Sequence, residues 1–209
     1  YYWYEKGAIS LLNKHTVYRP MPVINGEALA KALPQEYVAV RFYFRPSFPD
    51  TSDNRELVGQ FIKRLSQRAP VVLLNTGLTV DDHQDFAPDT GMGVHTVEHL
   101  MTPTTNLEVQ SVIISRARAF VGTYGGLSYL GPFYGVPTIG LFSNEAELVP
   151  THLDVSRRLS RCLGAPLVTL DVKEVAMVEM LCETLNWADG NSSKFPVSPT
   201  VASRMHVSS

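Results

Sequence analysis

The chain has 209 residues, 44% of them hydrophobic and 18% charged, with a formal net charge of -2 at pH 7. That length supports one sizeable core with at most a small appendage, and the near-balanced charge excludes the broad basic field that holds nucleic acid. Cys162 and Cys182 are too few and too far apart for a disulfide scaffold or a thiolate metal site, and the longest apolar runs are strand-sized, too short to span a bilayer.

The first residues, Tyr1-Tyr2-Trp3-Tyr4, are neither an initiator methionine nor a secretory leader, which predicts a piece of a longer chain. Residues 1–30, with a helical patch at 8–12 and a Pro/Gly-containing link at 19–26, read as a connector from a missing N-terminal domain. Residues 37–45 then read as a strand, with Val38, Val40, Phe42 and Phe44 on one face. A Pro-rich polar loop follows at 46–52. Asp53-Asn54-Arg55-Glu56 reads as a capping box opening a helix with Leu57, Val58, Phe61, Ile62 and Leu65 as its stripe. Residues 71–74 form an all-apolar strand ending at Asn75-Thr76-Gly77, and 93–97 a weaker strand.

The alternation repeats. Thr105-Asn106-Leu107-Glu108 opens a helix carrying Val109, Val112, Ile113 and Ile114. Strands are expected at 119–122 and 137–142. Residues 151–163 are helical, stopped by Gly164 and Pro166. A last strand (167–172) and helix (173–187) follow, and 189–209 make a flexible tail rich in Gly, Ser, Pro and Asn. This order predicts a Rossmann-like three-layer α/β/α domain over residues 31–188. Its sheet is mostly parallel, of about six strands, with 71–74 and 119–122 central.

In such a sheet ligands sit beyond the carboxyl ends of the strands. The strongest candidate is Phe120-Val121-Gly122-Thr123-Tyr124-Gly125-Gly126-Leu127-Ser128. Two glycines there let backbone approach a ligand closely, and Ser128 is placed to cap the short helix that follows. Helix-terminal amides attract phosphate; the alternative is a mere tight turn. Arg41 and Arg45, four residues apart at the close of the first strand, supply charge and a bidentate fork, or else face solvent from an edge strand. Asn75-Thr76-Gly77 is the third, weaker candidate.

The run NLEVQSVIISRARAFVGTYGGLSYLGPFYGVPTIGLF, from Asn106 to Phe142, resembles the donor-binding core of GT-B-fold glycosyltransferases, and the likeness extends more loosely over residues 37–187. The resemblance implies the C-terminal half of such an enzyme. It places the donor diphosphate against Gly125, Gly126, Leu127 and Ser128; with the strand-end candidates Arg41, Arg45, Gly77, Thr123 and Tyr124 these make the expected diphosphate-binding residues. Arg41 and Arg45 match the phosphate-binding arginines of fucosyltransferase-like members in residue type and position, though the surrounding motif is absent. The expected partners are a nucleotide-diphosphate sugar and a glycan or other acceptor bound through the missing domain, with no cofactor and no metal. The acceptor and the catalytic base belong to that domain, so no catalytic residue is assigned. A cytoplasmic location is expected, with peripheral membrane association left open. A non-catalytic nucleotide-sugar binding module and a sugar-nucleotide epimerase are the alternatives.

Other patterns compete. His95-Thr96-Val97-Glu98-His99 matches the H-x-x-E-H pattern of inverted zinc peptidases, whose ligands must share one helix face. The glycines ahead of it, β-branched Thr96 and Val97 and nearby Pro103 argue for strand and loop instead. His99 is then a guess for the nucleoside pocket. Asp81, Asp82, His83 and Asp85 read as a solvated acidic loop. Tyr43, Phe44 and Phe48 stack on a base or fill the core, and Cys162 falls on an apolar helical face. Protein purified without a His-tag is expected to carry far less than one zinc per chain by metal analysis. A stoichiometric zinc lost on mutating His95 or His99 revives the peptidase.

Overall fold

The computed structural model describes residues 14–22, 24–77, 84–86, 91 and 93–174. The expected helix beyond residue 174, the tail, the helical patch at 8–12 and Asp81-Asp82-His83 lie outside them. In chain order the elements are α1 (Glu27–Lys31), β1 (Val38–Arg41), β2 (Tyr43–Phe44), α2 (Ser52–Ser66), β3 (Val71–Leu73), β4 (Gln84–Asp85) and β5 (Val94–Thr96). They continue with α3 (Asn106–Arg116), β6 (Ala119–Thr123), α4 (Leu130–Phe133), β7 (Thr138–Phe142), α5 (Pro150–Leu163) and β8 (Leu167–Asp171).

Six strands form one sheet in the order β5-β3-β1-β6-β7-β8, with every neighbouring pair parallel. Numbered along the chain as strands 1 to 6, they lie 3-2-1-4-5-6, the doubly wound order of dinucleotide-binding folds. β6 is central as expected. The other central strand is β1, and β3 lies one place out, between β1 and β5.

Burial on both faces explains the apolar strands. Val38, Ala39 and Val40 are inaccessible to solvent. Val38 and Val40, continued by Phe42 and Phe44, pack with Val58, Phe61, Ile62 and Leu65 of α2 on one face. Tyr37 and Ala39 pack with Ile113 and Ile114 of α3 and with Phe120 on the other. Leu29 of α1 joins this second core, and Tyr18 sets its ring 6.4 Å from that of Phe133. Leu29 and Leu33 pack on the α3 side, the Met21 N–H donates to the Phe133 carbonyl at 2.9 Å, Arg158 of α5 reaches the Thr16 carbonyl at 3.4 Å, and no described residue before β1 adds a strand to the sheet.

Two local expectations need correction. The helix α2 is capped by Thr51, whose side chain accepts from the Asn54 N–H at 3.2 Å; Asp53 falls in the first turn, where its charge complements the helix dipole. Asn54 reaches back to the Pro49 carbonyl at 2.7 Å, which moves the start upstream. The predicted strand 37–45 splits after Arg41, because Thr123 Oγ1 accepts from the Tyr43 N–H at 3.0 Å and donates to the Tyr43 carbonyl at 2.9 Å. A side chain there replaces the next rung of the ladder, and β2 turns away to pair antiparallel with β4. The close of α5 is as expected: Gly164 adopts φ 70°, the left-handed geometry of a helix end. Among the described residues no helix is long and apolar enough to cross a membrane.

Gly122 lies opposite Arg41 in the β1–β6 register, and a Cβ on it would land on the Arg41 carbonyl. Gly122→Ala must therefore push the two central strands apart. We expect it to cost about 3 kcal/mol, lowering the melting temperature by roughly 6–12 °C in a domain of this size. A melting curve by circular dichroism unchanged from the parent contradicts this packing.

Candidate phosphate-binding site

The chain leaves β1 for α2 on one face and β6 for α4 on the other, so the strand order reverses between them. Such a switch point opens a crevice at the carboxyl ends of the two strands. Arg41 ends β1 and Thr123 ends β6. The glycine turn and both arginines therefore lie around one crevice, though not all in the roles expected of them.

Beyond Thr123, a 3-10 turn spans Gly126–Tyr129 with Gly125 as its N-cap. Ser128 does not cap it from outside. Its fully buried hydroxyl accepts from the Gly125 N–H at 3.3 Å and donates to the Thr123 carbonyl at 3.2 Å, stitching the turn from within. Thr123 is committed to Tyr43 as described. Tyr124 is buried, its hydroxyl 2.8 Å from that of Tyr129 and its N–H donating to the Leu141 carbonyl at 2.8 Å. Leu127 is half-buried against the α3-side core. The side chains of Thr123, Tyr124 and Ser128 are therefore scaffold, and the surface left for a ligand is backbone.

The two glycines play different parts. A Cβ at Gly125 would strike the Tyr43 hydroxyl and come within 3.0 Å of Arg45 Nη1. Its φ of 172° is ordinary extended backbone, so glycine is required there by crowding alone. Gly126 is exposed, is not among the glycines of positive φ, and would direct a Cβ into open space. A side chain at Gly126 would therefore meet nothing in the fold and would not strain the turn.

Arg45 lies across that turn. Its Nη1 donates to the Tyr124 carbonyl at 3.5 Å, and it hydrogen-bonds the Tyr43 hydroxyl. Burial pushes the Tyr43 phenol up, and the neighbouring Arg45 pulls it partly back, so the hydroxyl stays protonated at neutral pH. Arg45 Nε is buried with no hydrogen-bond acceptor, and no carboxylate among the described residues pairs with this guanidinium. A half-buried cation without a counter-ion favours an arriving anion.

Arg41 is the opposite case. It sits on a central strand rather than an edge. Its Nε donates to Asp85 Oδ1 at 3.1 Å, its Nη2 lies 3.0 Å from the same oxygen, and its Nη1 donates to Gln110 Oε1 at 2.5 Å. Asp85 Oδ2 accepts from the Thr76 N–H at 2.8 Å, and Gln110 Nε2 reaches Asn106 Oδ1 at 3.3 Å. Both ion-pair side chains are only 14% exposed. The arginine expected to grip phosphate is already neutralised by this network. Gly77 does adopt a left-handed φ of 62°, but β1 separates its strand from β6, and a Cβ on it would lie 3.6 Å from the Glu98 carboxylate. That negative charge repels a phosphate.

His95 lies on β5 and His99 in a 3-10 turn, so the H-x-x-E-H residues do not share one helix; His95, Glu98 and His99 are all exposed. Among the described residues no three His, Cys, Asp or Glu side chains gather as metal ligands. Phe44 and Phe48 stack with centroids 6.4 Å apart in the core, and Tyr43 is buried with them, which settles those aromatics as core. Cys162 is exposed on α5 rather than set on a buried face. Asp85, expected in a solvated loop, is the counter-ion of Arg41. Gln110 was missed; its place among the buried positions 113, 114 and 117 of the helical stripe was the available signal. His152, in the first turn of α5, was missed too. Burial, and then the Arg45 charge, hold its imidazole below the ordinary value.

The fold and crevice together define a Rossmann-like α/β domain with a cation at its switch point. No protein-family model matches the chain, and no curated protein matches it. Among solved structures, KpsC of Thermosulfurimonas dismutans, a β-Kdo 2,4 transferase, superposes with a TM-score of 0.38 at 12% identity, covering 66% of this chain and 43% of that one. The present chain thus spans less than half the length of that enzyme.

The Arg41 network yields a prediction about stability. Arg41→Ala leaves Asp85 and Gln110 without their partner in a part-buried site, and it should cost about 3 kcal/mol in urea unfolding. Arg41→Ala combined with Asp85→Ala should cost less than the sum of the two single changes. A neutral Arg41→Ala contradicts the clamp.

Proposed function

We propose that this domain holds the diphosphate of a nucleotide-sugar donor, as the donor-binding half of a glycosyltransferase that passes the sugar to an acceptor held outside the chain. The observation that carries the reading is Arg45, a guanidinium with no counter-ion among the described residues, lying over Gly125 beside the open Gly126. As a sugar leaves its donor, negative charge grows on the departing phosphate. A fixed cation and close-approaching backbone stabilise that charge more than they stabilise the ground state. In this reading Arg45 is the charge, Gly126 admits the phosphate to the backbone, and Thr123, Tyr124 and Ser128 hold the turn. Arg41 acts indirectly, by fixing the end of β1.

Calorimetry with UDP, GDP, ADP and dTDP tests the proposal. The chain should bind at least one of them weakly and turn over no donor by itself. Arg45→Ala should weaken binding by about 1.5–3 kcal/mol, roughly ten- to a hundred-fold, and Arg45→Lys should restore only part, since an ammonium lacks the fork. Gly126→Val should abolish binding while melting at the parental temperature. If both Arg45→Ala and Gly126→Val bind as the parent does, the glycine pair is only a turn and the donor site lies elsewhere.

A further inference from the structure

Arginine is long and rotatable, so the contacts of Arg45 decide whether its charge stands ready at the turn or samples the crevice. Its Nε is buried without an acceptor, and its Nη1 reaches the Tyr124 carbonyl at 3.5 Å, the long limit of a hydrogen bond. Tyr43 supplies a second hold. A Cβ on Gly125 would strike Tyr43 Oη and lie 3.0 Å from Arg45 Nη1, so hydroxyl and guanidinium meet where the turn lacks a side chain. The guanidinium donates to the hydroxyl, since arginine has no acceptor to offer. Tyr43 itself is fixed at backbone and ring. The Thr123 hydroxyl holds its N–H at 3.0 Å and its carbonyl at 2.9 Å. Its ring is buried, with the Arg41 guanidinium carbon 5.6 Å from the centroid, and Arg41 is anchored in turn by Asp85 and Gln110. One arginine braces the ring, and the other takes hold of its hydroxyl.

Resting on the reading that Arg45 and the Gly126 turn hold a phosphate, we propose that Tyr43 is the positioning residue of that site, its hydroxyl fixing the Arg45 guanidinium across Gly125 before the ligand arrives. Tyr43 acts through Arg45 and touches no ligand itself. A side chain ordered in advance loses less freedom on binding, an advantage worth roughly three- to ten-fold in affinity. The chemistry of the group matters as much as its place. A carboxylate here would orient the guanidinium but neutralise it, as Asp85 does for Arg41. A neutral hydroxyl orients the cation and leaves its charge for the phosphate. Burial, only partly offset by the neighbouring Arg45 and Arg41, raises the phenol above its ordinary value, so the group stays neutral at physiological pH.

Tyr43→Phe keeps the ring and the backbone clamp and removes the hydroxyl alone. Calorimetry with inorganic diphosphate should find it bound roughly three- to ten-fold more weakly than by the parent, a smaller loss than Arg45→Ala gives. Tyr43→Phe added to Arg45→Ala should cost nothing further, because a residue that acts through Arg45 then has nothing to act on. NMR relaxation of the empty chain separates orientation from packing. The Arg45 Nε–H order parameter should be about 0.8 in the parent and fall below about 0.6 in Tyr43→Phe, with the Gly126 backbone as rigid as before. Three results overturn the role of Tyr43 and leave the Arg45 site standing: parental affinity in Tyr43→Phe, a double variant clearly weaker than Arg45→Ala, or an Arg45 side chain already mobile in the empty parent. The last is read on the parent alone, so it decides the matter even if Tyr43→Phe does not fold. Diphosphate that fails to bind the parent, or binds Arg45→Ala as tightly, overturns the phosphate reading and this role with it.

Discussion

β1 and β6 run side by side at the centre of the sheet, and their closeness is set by one missing side chain. Gly122 faces the carbonyl of Arg41 with no room for a Cβ. One residue further on, the Thr123 hydroxyl takes both backbone groups of Tyr43, ending the ladder and sending β2 over the end of β6. That departure carries Tyr43 and Arg45 across the glycine turn, where Gly125 is again too crowded for a Cβ. The crevice is thus a consequence of sheet packing: without the close seam and its hydroxyl clamp, Arg45 would continue along a strand rather than cross to β6.

The two arginines show how little sequence distance decides. Both stand at carboxyl ends near the switch point, four residues apart. Arg41 has a carboxylate, a carboxamide and the Tyr43 ring around it, the ring centroid 5.6 Å away, and its charge is spent within the fold. Arg45 has hydroxyl and carbonyl neighbours that satisfy some of its donors but supply no opposite charge. Coulomb attraction in a half-buried crevice is several times stronger than in water, so a phosphate approaching the sheet edge would be drawn to the second arginine and not the first.

Much of the fold was legible because it rests on local rules. The all-apolar run at 71–74 announced a strand buried on both faces, the runs at 37–45 and 119–122 announced strands, and Gly164 after a periodic stretch announced a helix end. What escaped reading depends on tertiary placement. Nothing in the string says that Thr123 will break the strand of Tyr43, eighty residues away in sequence, or that Asp85 will reach across to Arg41 rather than meet solvent. The same reason separates Arg41 from Arg45: residue type gave two candidate phosphate ligands, and only the position of a carboxylate from a distant segment distinguishes them. Ser128 was singled out as a helix cap and Thr123 as part of the diphosphate site; the Ser128 hydroxyl instead stitches the turn from within, and the Thr123 hydroxyl holds the backbone of Tyr43.

The central claim is that the anion of the ligand lies between Arg45 and the backbone of the Gly125–Gly126 turn. The most direct measurement is NMR of the isotopically labelled chain during titration with a nucleoside diphosphate, following backbone amides and arginine Nε–H signals together. The account predicts the largest shifts at Gly126, Leu127 and the Arg45 Nε–H, with the Arg41 Nε–H nearly still. Shifts concentrated at Arg41, Gly77 or the far edge of the sheet, with Arg45 and Gly126 unmoved, would contradict it.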